Sequence, residues 1–345
     1  MKLRLRRPDD WHLHLRDGAL LSAVVPHTAA RFARAVVMPN LAPPVTTTAM
    51  ALAYRERILA AVPAGMNFEP LMTLYLTDNT PAAEVRRAHE SGRIVGVKLY
   101  PAGATTNSDS GVTDLARCAE ALAAIEDTGL VLQVHGEVTE STVDVFDRER
   151  IFLERILAPL VDRYPRLKVV LEHVTTADGV AFVQGARPGV AATITPQHML
   201  LNRNALFAGG LRPHHYCLPV LKAERHREAV FAAATSGDER FFLGTDSAPH
   251  SRQSKESACG CAGIYSAPVG IEVYAEAFHA AGQLERLEAF ASQYGARFYG
   301  LPVNKDQIVL EQRAWRPPAE YVAGAERLVP FRAGESLTWA LAGQA

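Results

Sequence analysis

Trp11-His12-Leu13-His14-Leu15 is the first of eight short β-rich runs, and the recurrence of those runs decides the fold. The others are Ala33–Met38, Phe68–Leu76, Ile94–Tyr100, Val131–His135, Val169–His173, Val190–Thr195 and Phe241–Thr245. Their middles are near-continuous Val, Leu and Ile, as expected of parallel strands covered on both faces. Between them lie helically spaced stretches, among them Thr46–Val62, Pro81–Ser91, Asp114–Thr128, Asp147–Tyr164 and Lys222–Thr235. Pro81 suits a first helical turn, with Thr80 as its candidate N-cap. Eight strand–helix units predict an α/β fold, a (β/α)8 TIM barrel. A doubly wound open sheet would need a glycine-rich phosphate turn after an early strand. Gly209-Gly210-Leu211 comes too late and lacks the pattern. Beyond the eighth run, Val269–Ala281 and Leu284–Tyr294 read as helices, and the Pro- and charge-rich tail from Leu301 as a strap packed on the barrel. The expected organisation is one domain over residues 1–345, with a barrel core over about 9–300 and a C-terminal extension over 301–345.

Composition narrows the class. With 48% hydrophobic and 21% charged residues and a formal net charge of −1, nothing argues electrostatically for nucleic acid or an anionic membrane. The basic cluster Lys2-Leu3-Arg4-Leu5-Arg6-Arg7 runs into Pro8-Asp9-Asp10 rather than an apolar core, so it does not read as a signal peptide. No apolar run reaches membrane-spanning length, and a soluble, cytoplasmic protein is the expectation. Cys118, Cys217, Cys259 and Cys261 are too few and scattered for a disulfide framework. Cys259-Gly260-Cys261 lacks the CxxC spacing of a redox or metal pair, and reduced thiols are expected throughout.

The chemistry gathers at one rim. On an extended strand His12 and His14 face one way and Leu13 and Leu15 the other, so two imidazoles can share a metal ion, with Arg16 continuing the face beside an anion. A His-x-His pair alone is a weak signal. However, His14, Asn40, Lys98, His135, His173 and Asp246 each fall at or just past the C-terminal end of a run, the rim where barrel enzymes keep their chemistry. Singly, His135 and His173 could be satisfied core histidines, and Asp246 a turn cap. Jointly, four histidines and an aspartate suit a borderline metal such as zinc. Lys98 is the oddity, since an ammonium in an apolar strand is costly and has no lone pair for a metal. Either it captures carbon dioxide to become a bridging carbamate, or it snorkels to the rim and pairs with an acid. The residues alone leave both open.

The set His12-x-His14, Gly96-Val97-Lys98, His135, His173 and Asp246 resembles the binuclear amidohydrolases. More closely, Trp11–Arg16, Met38-Pro39-Asn40-Leu41, Gly96–Asn107 and Gly244-Thr245-Asp246-Ser247-Ala248-Pro249-His250 resemble the dihydroorotase family of the short, monofunctional bacterial type, from about residue 9 to past Ala262. The resemblance implies a zinc-dependent, reversible cyclisation of N-carbamoyl-L-aspartate to L-dihydroorotate plus water, a step of pyrimidine biosynthesis. It implies one Zn2+ on His12, His14, Asp246 and the carbamate of N6-carboxylated Lys98, a second on His135, His173 and the other carbamate oxygen, and a hydroxide between them. Asp246 is the implied proton carrier. Arg16, Asn40 and His250 are implied to hold the substrate carboxylate, backbone at Leu218 and Ala262 to read the pyrimidine edge, and His14 and His135 to touch substrate. Thr105 and Thr106 open a polar run whose family role is a closing loop; on composition it reads equally as an exposed linker. A homodimer is implied, with no nucleic-acid or membrane partner.

Related readings fit less well. Dihydropyrimidinase, hydantoinase and allantoinase share the metal set, but usually carry a sizeable β segment before His-x-His, where this sequence has 11 residues before His12. They also have no α-carboxylate requiring Arg16. Deaminases of the superfamily use His-x-His without the carboxylated lysine. A catalytically silent structural homologue would be expected to have lost ligands, whereas all six candidates are present.

Overall fold

The computed structural model describes residues 1–344. Strand β1 (Lys2–Arg6) stands outside the main sheet. Strands β2 (Asp9–Leu13), β3 (Arg34–Val37), β4 (Glu69–Tyr75), β5 (Ile94–Leu99), β6 (Val131–Val134), β7 (Lys168–Leu171), β8 (Val190–Ile194) and β9 (Phe241–Leu243) lie side by side in sequence order, all parallel. Every residue of β2, β6, β8 and β9 is buried, as the unbroken apolar runs required. The ring closes between β2 and β9, where Asp246 N donates to His12 O at 2.9 Å and His14 N to Ser247 O at 3.0 Å. Buried Asp10 fastens the same seam by accepting from Thr245 N at 2.8 Å and His12 N at 3.2 Å. The expected TIM barrel is thus observed.

Strict alternation along β2 would put Trp11 with Leu13 and Leu15 on the outside. Instead Trp11 packs with Val36, Met38 and Phe242 in a separate interior cluster, while Leu13 and Leu15 join the main core. An irregularity between Asp10 and Leu13, where the strand gains a residue on β3, makes this possible. Trp11 stacks on Tyr299 with ring centroids 4.6 Å apart, so the helix Tyr294–Tyr299 plugs the barrel floor. Gly295 permits that contact, since a Cβ there would lie 2.1 Å from Trp11 Nε1.

The helices depart from the sequence reading in detail. Thr47 caps Thr48–Ala60 through Met50 N. Thr80 does not cap the next helix: Pro81 is itself the N-cap residue of Ala82–Glu90, and Thr80 Oγ1 accepts from Thr77 N at 2.9 Å. The stretch read as one helix over Asp147–Tyr164 contains a π turn at Leu153–Leu157, just before Pro159, which has no N–H to give to the ladder. Further helices stand at Gly18–Ala29, Ala119–Thr128, Ala177–Gly185, Glu224–Thr235 and Gly270–Ala280.

The tail is more than a strap. Strands β10 (Gln307–Trp315), β11 (Tyr321–Ala323), β12 (Glu326–Leu328) and β13 (Leu337–Gln344) follow the barrel. β10 pairs antiparallel with β13 on one side and with β1 on the other, so residues read only as a basic cluster form an edge strand of a three-stranded sheet. Alternation in Lys2-Leu3-Arg4-Leu5-Arg6 turns Leu5 inward, where it joins Ile308, Leu310 and Trp339 in the main core. No helix among the described residues is long and apolar enough to cross a membrane.

Candidate metal centre

Because β6, β7 and β9 stop short of the predicted runs, His135, His173 and Asp246 stand just beyond strand ends, beside His12 and His14. Three side-chain atoms converge. His12 Nε2 and His14 Nε2 lie 3.3 Å apart, and Asp246 Oδ1 is 3.3 Å from the first and 3.1 Å from the second. The outer ring nitrogens are committed elsewhere: His12 Nδ1 to Glu172 Oε2 at 2.7 Å and His14 Nδ1 to Asn40 Oδ1 at 2.8 Å. Carboxylate and amide oxygens accept, so both Nδ1 atoms donate and both Nε2 lone pairs face the Asp246 oxygen. A cation shared by the three atoms reconciles such a set. A proton on His12 answers one contact, and Glu172 and Asp246 do raise His12 against the effect of burial. It leaves His14 unanswered, because burial pushes that imidazole down to about 4.

The second pair repeats the pattern. His135 Nε2 donates to Glu137 Oε2 at 2.8 Å, which leaves its Nδ1 lone pair 3.2 Å from His173 Nε2. His173 is held well below the ordinary imidazole range by burial and by the neighbouring His135. Ligand-type atoms of His12, His173 and Asp246 all lie within 4.8 Å of one another. Burial alone would raise Asp246, but His12 and His14 hold it well below the usual carboxylate range. Lys98 points inward, fully buried, its Nζ 5.1 Å over the Tyr100 ring and without a hydrogen-bond partner among the described residues. It does not snorkel to the rim. Burial pushes its amine down to about 8 against the opposing charges of Glu172 and Asp246. The donor set therefore fits divalent metal.

Beside this cluster Arg16 donates from Nε to Pro249 O at 3.0 Å, with its second nitrogen 2.8 Å from His250 Nε2. Burial, then the Arg16 charge, push His250 down to about 2, so the ring is neutral. Thr105 and Thr106 lie over the cluster: Asn40 Nδ2 donates to Thr106 O at 3.0 Å, Asn107 Nδ2 to Asn40 O at 3.0 Å, and Thr106 Oγ1 to Ala262 O at 3.4 Å. The space enclosed with Leu218 and Ala262 is only about 20 Å³, room for little more than one water. Arg16, His173 and Asp246 all adopt left-handed backbone, with φ of 59°, 43° and 44°, at about 1–3 kcal/mol each. Of the residues named from the sequence all but Lys98 and His250 line one pocket, and those two touch its lining through Tyr100 and Arg16. The sequence reading missed Glu137, Glu172 and Tyr100; an acid beside a histidine at a buried strand end was the available signal. A larger groove of about 630 Å³ runs along Val112–Ala116, Glu137–Glu140 and the segment from Phe152 to Tyr164, and none of the candidate metal ligands lines it.

Residues 10–314 match the amidohydrolase family. The chain is 64% identical over 339 residues to the dihydroorotase of Methylobacillus flagellatus, covering 98% of each. The crystal structure of dihydroorotase from Campylobacter jejuni superposes with a TM-score of 0.90 at 37% identity, over 99% of this chain and 97% of that one. Dihydroorotase from Saccharomyces cerevisiae in complex with 5-fluoroorotic acid gives 0.91 at 32% identity, over 99% and 98%. The chain belongs to the dihydroorotases of the amidohydrolase family, hydrolases acting on cyclic amides.

Proposed function

We propose that this chain interconverts N-carbamoyl-L-aspartate and L-dihydroorotate with the aid of two zinc ions. The reading is carried by the convergence of His12 Nε2, His14 Nε2 and Asp246 Oδ1 next to the Arg16–His250 corner: a metal site with a carboxylate-binding cation at its edge. His12, His14, Asp246 and a carbamate on Lys98 would hold one ion, and His135, His173 and the same carbamate the other. The amine of Lys98, lowered to about 8 and without a hydrogen-bond partner among the described residues, has the neutral fraction that capture of carbon dioxide requires. Bound there, the ions supply Lewis acidity to water and to the amide carbonyl.

The side chains do the rest. In hydrolysis Asp246, kept ionised by its histidines, accepts the proton of the attacking water and passes it to the leaving ring nitrogen; in cyclisation it takes a proton from the ureido nitrogen. Arg16 offers its guanidinium to the α-carboxylate, with His250 fixing that guanidinium. Asn40 Nδ2 is free to join them once it releases Thr106 O. Backbone of Leu218 and Ala262 reads the ring edge, and His14 and His135 border the substrate. Thr105 and Thr106 form a lid that must lift, because the enclosed space is too small for a six-membered ring. We further read residues 1–345 as one domain, since the barrel core continues into β10 and β13, and, from the family resemblance, a cytoplasmic homodimer.

The test is metal analysis with turnover. Purified protein should carry two zinc ions per chain and convert L-dihydroorotate, while neutral dihydrouracil should turn over poorly. Equal rates on both, or full activity after metal removal by a chelator, would refute the assignment.

A further inference from the structure

We propose that Lys255 is a positioning residue for substrate specificity: its ammonium binds the carbonyls of Tyr216, Cys261 and Gly263 together and thereby fixes the backbone of Leu218 and Ala262 against the pocket. The inference rests on the substrate reading above and adds a residue to it. Lys255 ends the short helix Arg252–Lys255 that follows His250, and only 3% of it is exposed. Its Nζ donates to Tyr216 O at 2.7 Å, Cys261 O at 2.8 Å and Gly263 O at 2.8 Å. Three N–H groups meet three acceptors, so the ammonium's donors are used in full. The same nitrogen lies 5.6 Å over the Tyr216 ring. Burying an ammonium is costly, and here the cost is met by carbonyl oxygens drawn from two separate loops, one after β8 and one after β9.

Ala262 sits between two of those carbonyls. Its neighbour Gly263 gives its N–H to Tyr216 O at 3.0 Å and has φ of +148°, where an added Cβ would stand 2.6 Å from Ala248 O. The seam is therefore closed from both sides, by a glycine that no other residue can replace and by the ammonium that pins its carbonyl. Ala262 and Leu218 line the pocket, and what they offer a ring amide edge is peptide N–H and C=O. Substituting their side chains leaves those groups in place. The side chain that sets where the two peptides point is Lys255, which lines no part of the pocket itself.

The experiment uses the full-length, metal-loaded enzyme. Lys255→Met keeps the apolar stem and removes all three donors. Metal content should match wild type, while KM for L-dihydroorotate and Kd for 5-fluoroorotic acid, the ligand of the yeast relative, should each rise at least about tenfold. kcat should fall by a smaller factor, since the lost contacts hold ground state and transition state alike. Lys255→Gln, which keeps two N–H donors, should fall between the two, and it carries the same test if Lys255→Met does not fold. A folded, metal-replete variant with KM and Kd within twofold of wild type overturns the proposal, as does a loss confined to kcat. Failure of wild type itself to turn over L-dihydroorotate would sink the substrate reading instead, so the two failures are distinct.

Discussion

Glu172→Gln should loosen metal without dismantling the barrel. One oxygen of this fully buried carboxylate lies 2.7 Å from His12 Nδ1 and 2.6 Å from Thr193 Oγ1, and Thr193 Oγ1 in turn accepts from His173 N at 2.7 Å. A single atom thus orients a candidate ligand on β2 and, through a hydroxyl, the backbone of another just past β7. Glutamine keeps an acceptor there and removes the charge. A hydrogen bond to a charged group contributes about 1.5–3 kcal/mol net, against about 1 for a neutral one, so the change costs about 0.5–2 kcal/mol. That is about 2- to 30-fold in metal affinity, reaching into the lower part of the roughly 10- to 100-fold seen when outer partners of metal-bound histidines are removed. The new amide also turns its NH2 toward the place of Glu172 Oε1, which has no partner among the described residues. Competition of the metal-free protein against a chelator of known affinity measures the effect, and circular dichroism checks the fold. A Kd within twofold of wild type would refute the argument that this carboxylate tunes His12.

Arg16→Met should leave metal content unchanged and lower kcat/KM for L-dihydroorotate by about 100-fold, as for loss of a charged hydrogen bond of about 3 kcal/mol; an unchanged steady-state rate would point to a neutral substrate. Changing Thr105 and Thr106 together to Gly should lower kcat while metal content and melting temperature hold, and equal protease sensitivity of the loop with and without 5-fluoroorotic acid would count against a lid. Gly295→Ala should destabilise by about 1–3 kcal/mol or more by forcing Trp11 off the floor, read as a lower urea midpoint; an unshifted midpoint would show that the floor yields. Because hydrolysis must begin with the coupled Asp246–water unit deprotonated and cyclisation with that unit protonated, kcat/KM should fall toward acid pH in the first direction and toward alkaline pH in the second, with midpoints that belong to the coupled site and not to the Asp246 side chain alone. Identical pH limbs in both directions would exclude Asp246 as the proton carrier.

The barrel was legible because composition repeats: each strand is largely a short apolar run, and the candidate ligands gather at or just past one end of those runs. His14, Asn40, Lys98, His135, His173 and Asp246 follow from that rule, and His12 from its His-x-His spacing with His14. What stayed hidden depends on contacts between distant segments. Trp11 turns inward through an irregularity that alternation does not signal. Residues 2–6 looked like a charge cluster because their partner strand lies some 300 positions away. Lys255 reads as one more surface cation in Arg252-Gln253-Ser254-Lys255-Glu256, and only the folded loops show that its neighbours are carbonyls. Glu137 and Glu172 were passed over because each stands next to a more conspicuous histidine.

The pairing of β1 with β10 sets a timetable for the chain as it is made. At about 5–20 residues per second of synthesis, residues 2–6 wait roughly 15–60 s before residues 307–311 exist to receive them. β2 waits almost as long for β9, without which Asp10 has no Thr245 to hold. Until those partners are made, β1 has no strand to pair with and one edge of β2 presents unpaired backbone. A strand made some 300 residues before its partner is among the last to be sheltered, and this is the interval in which a holding chaperone would find its work.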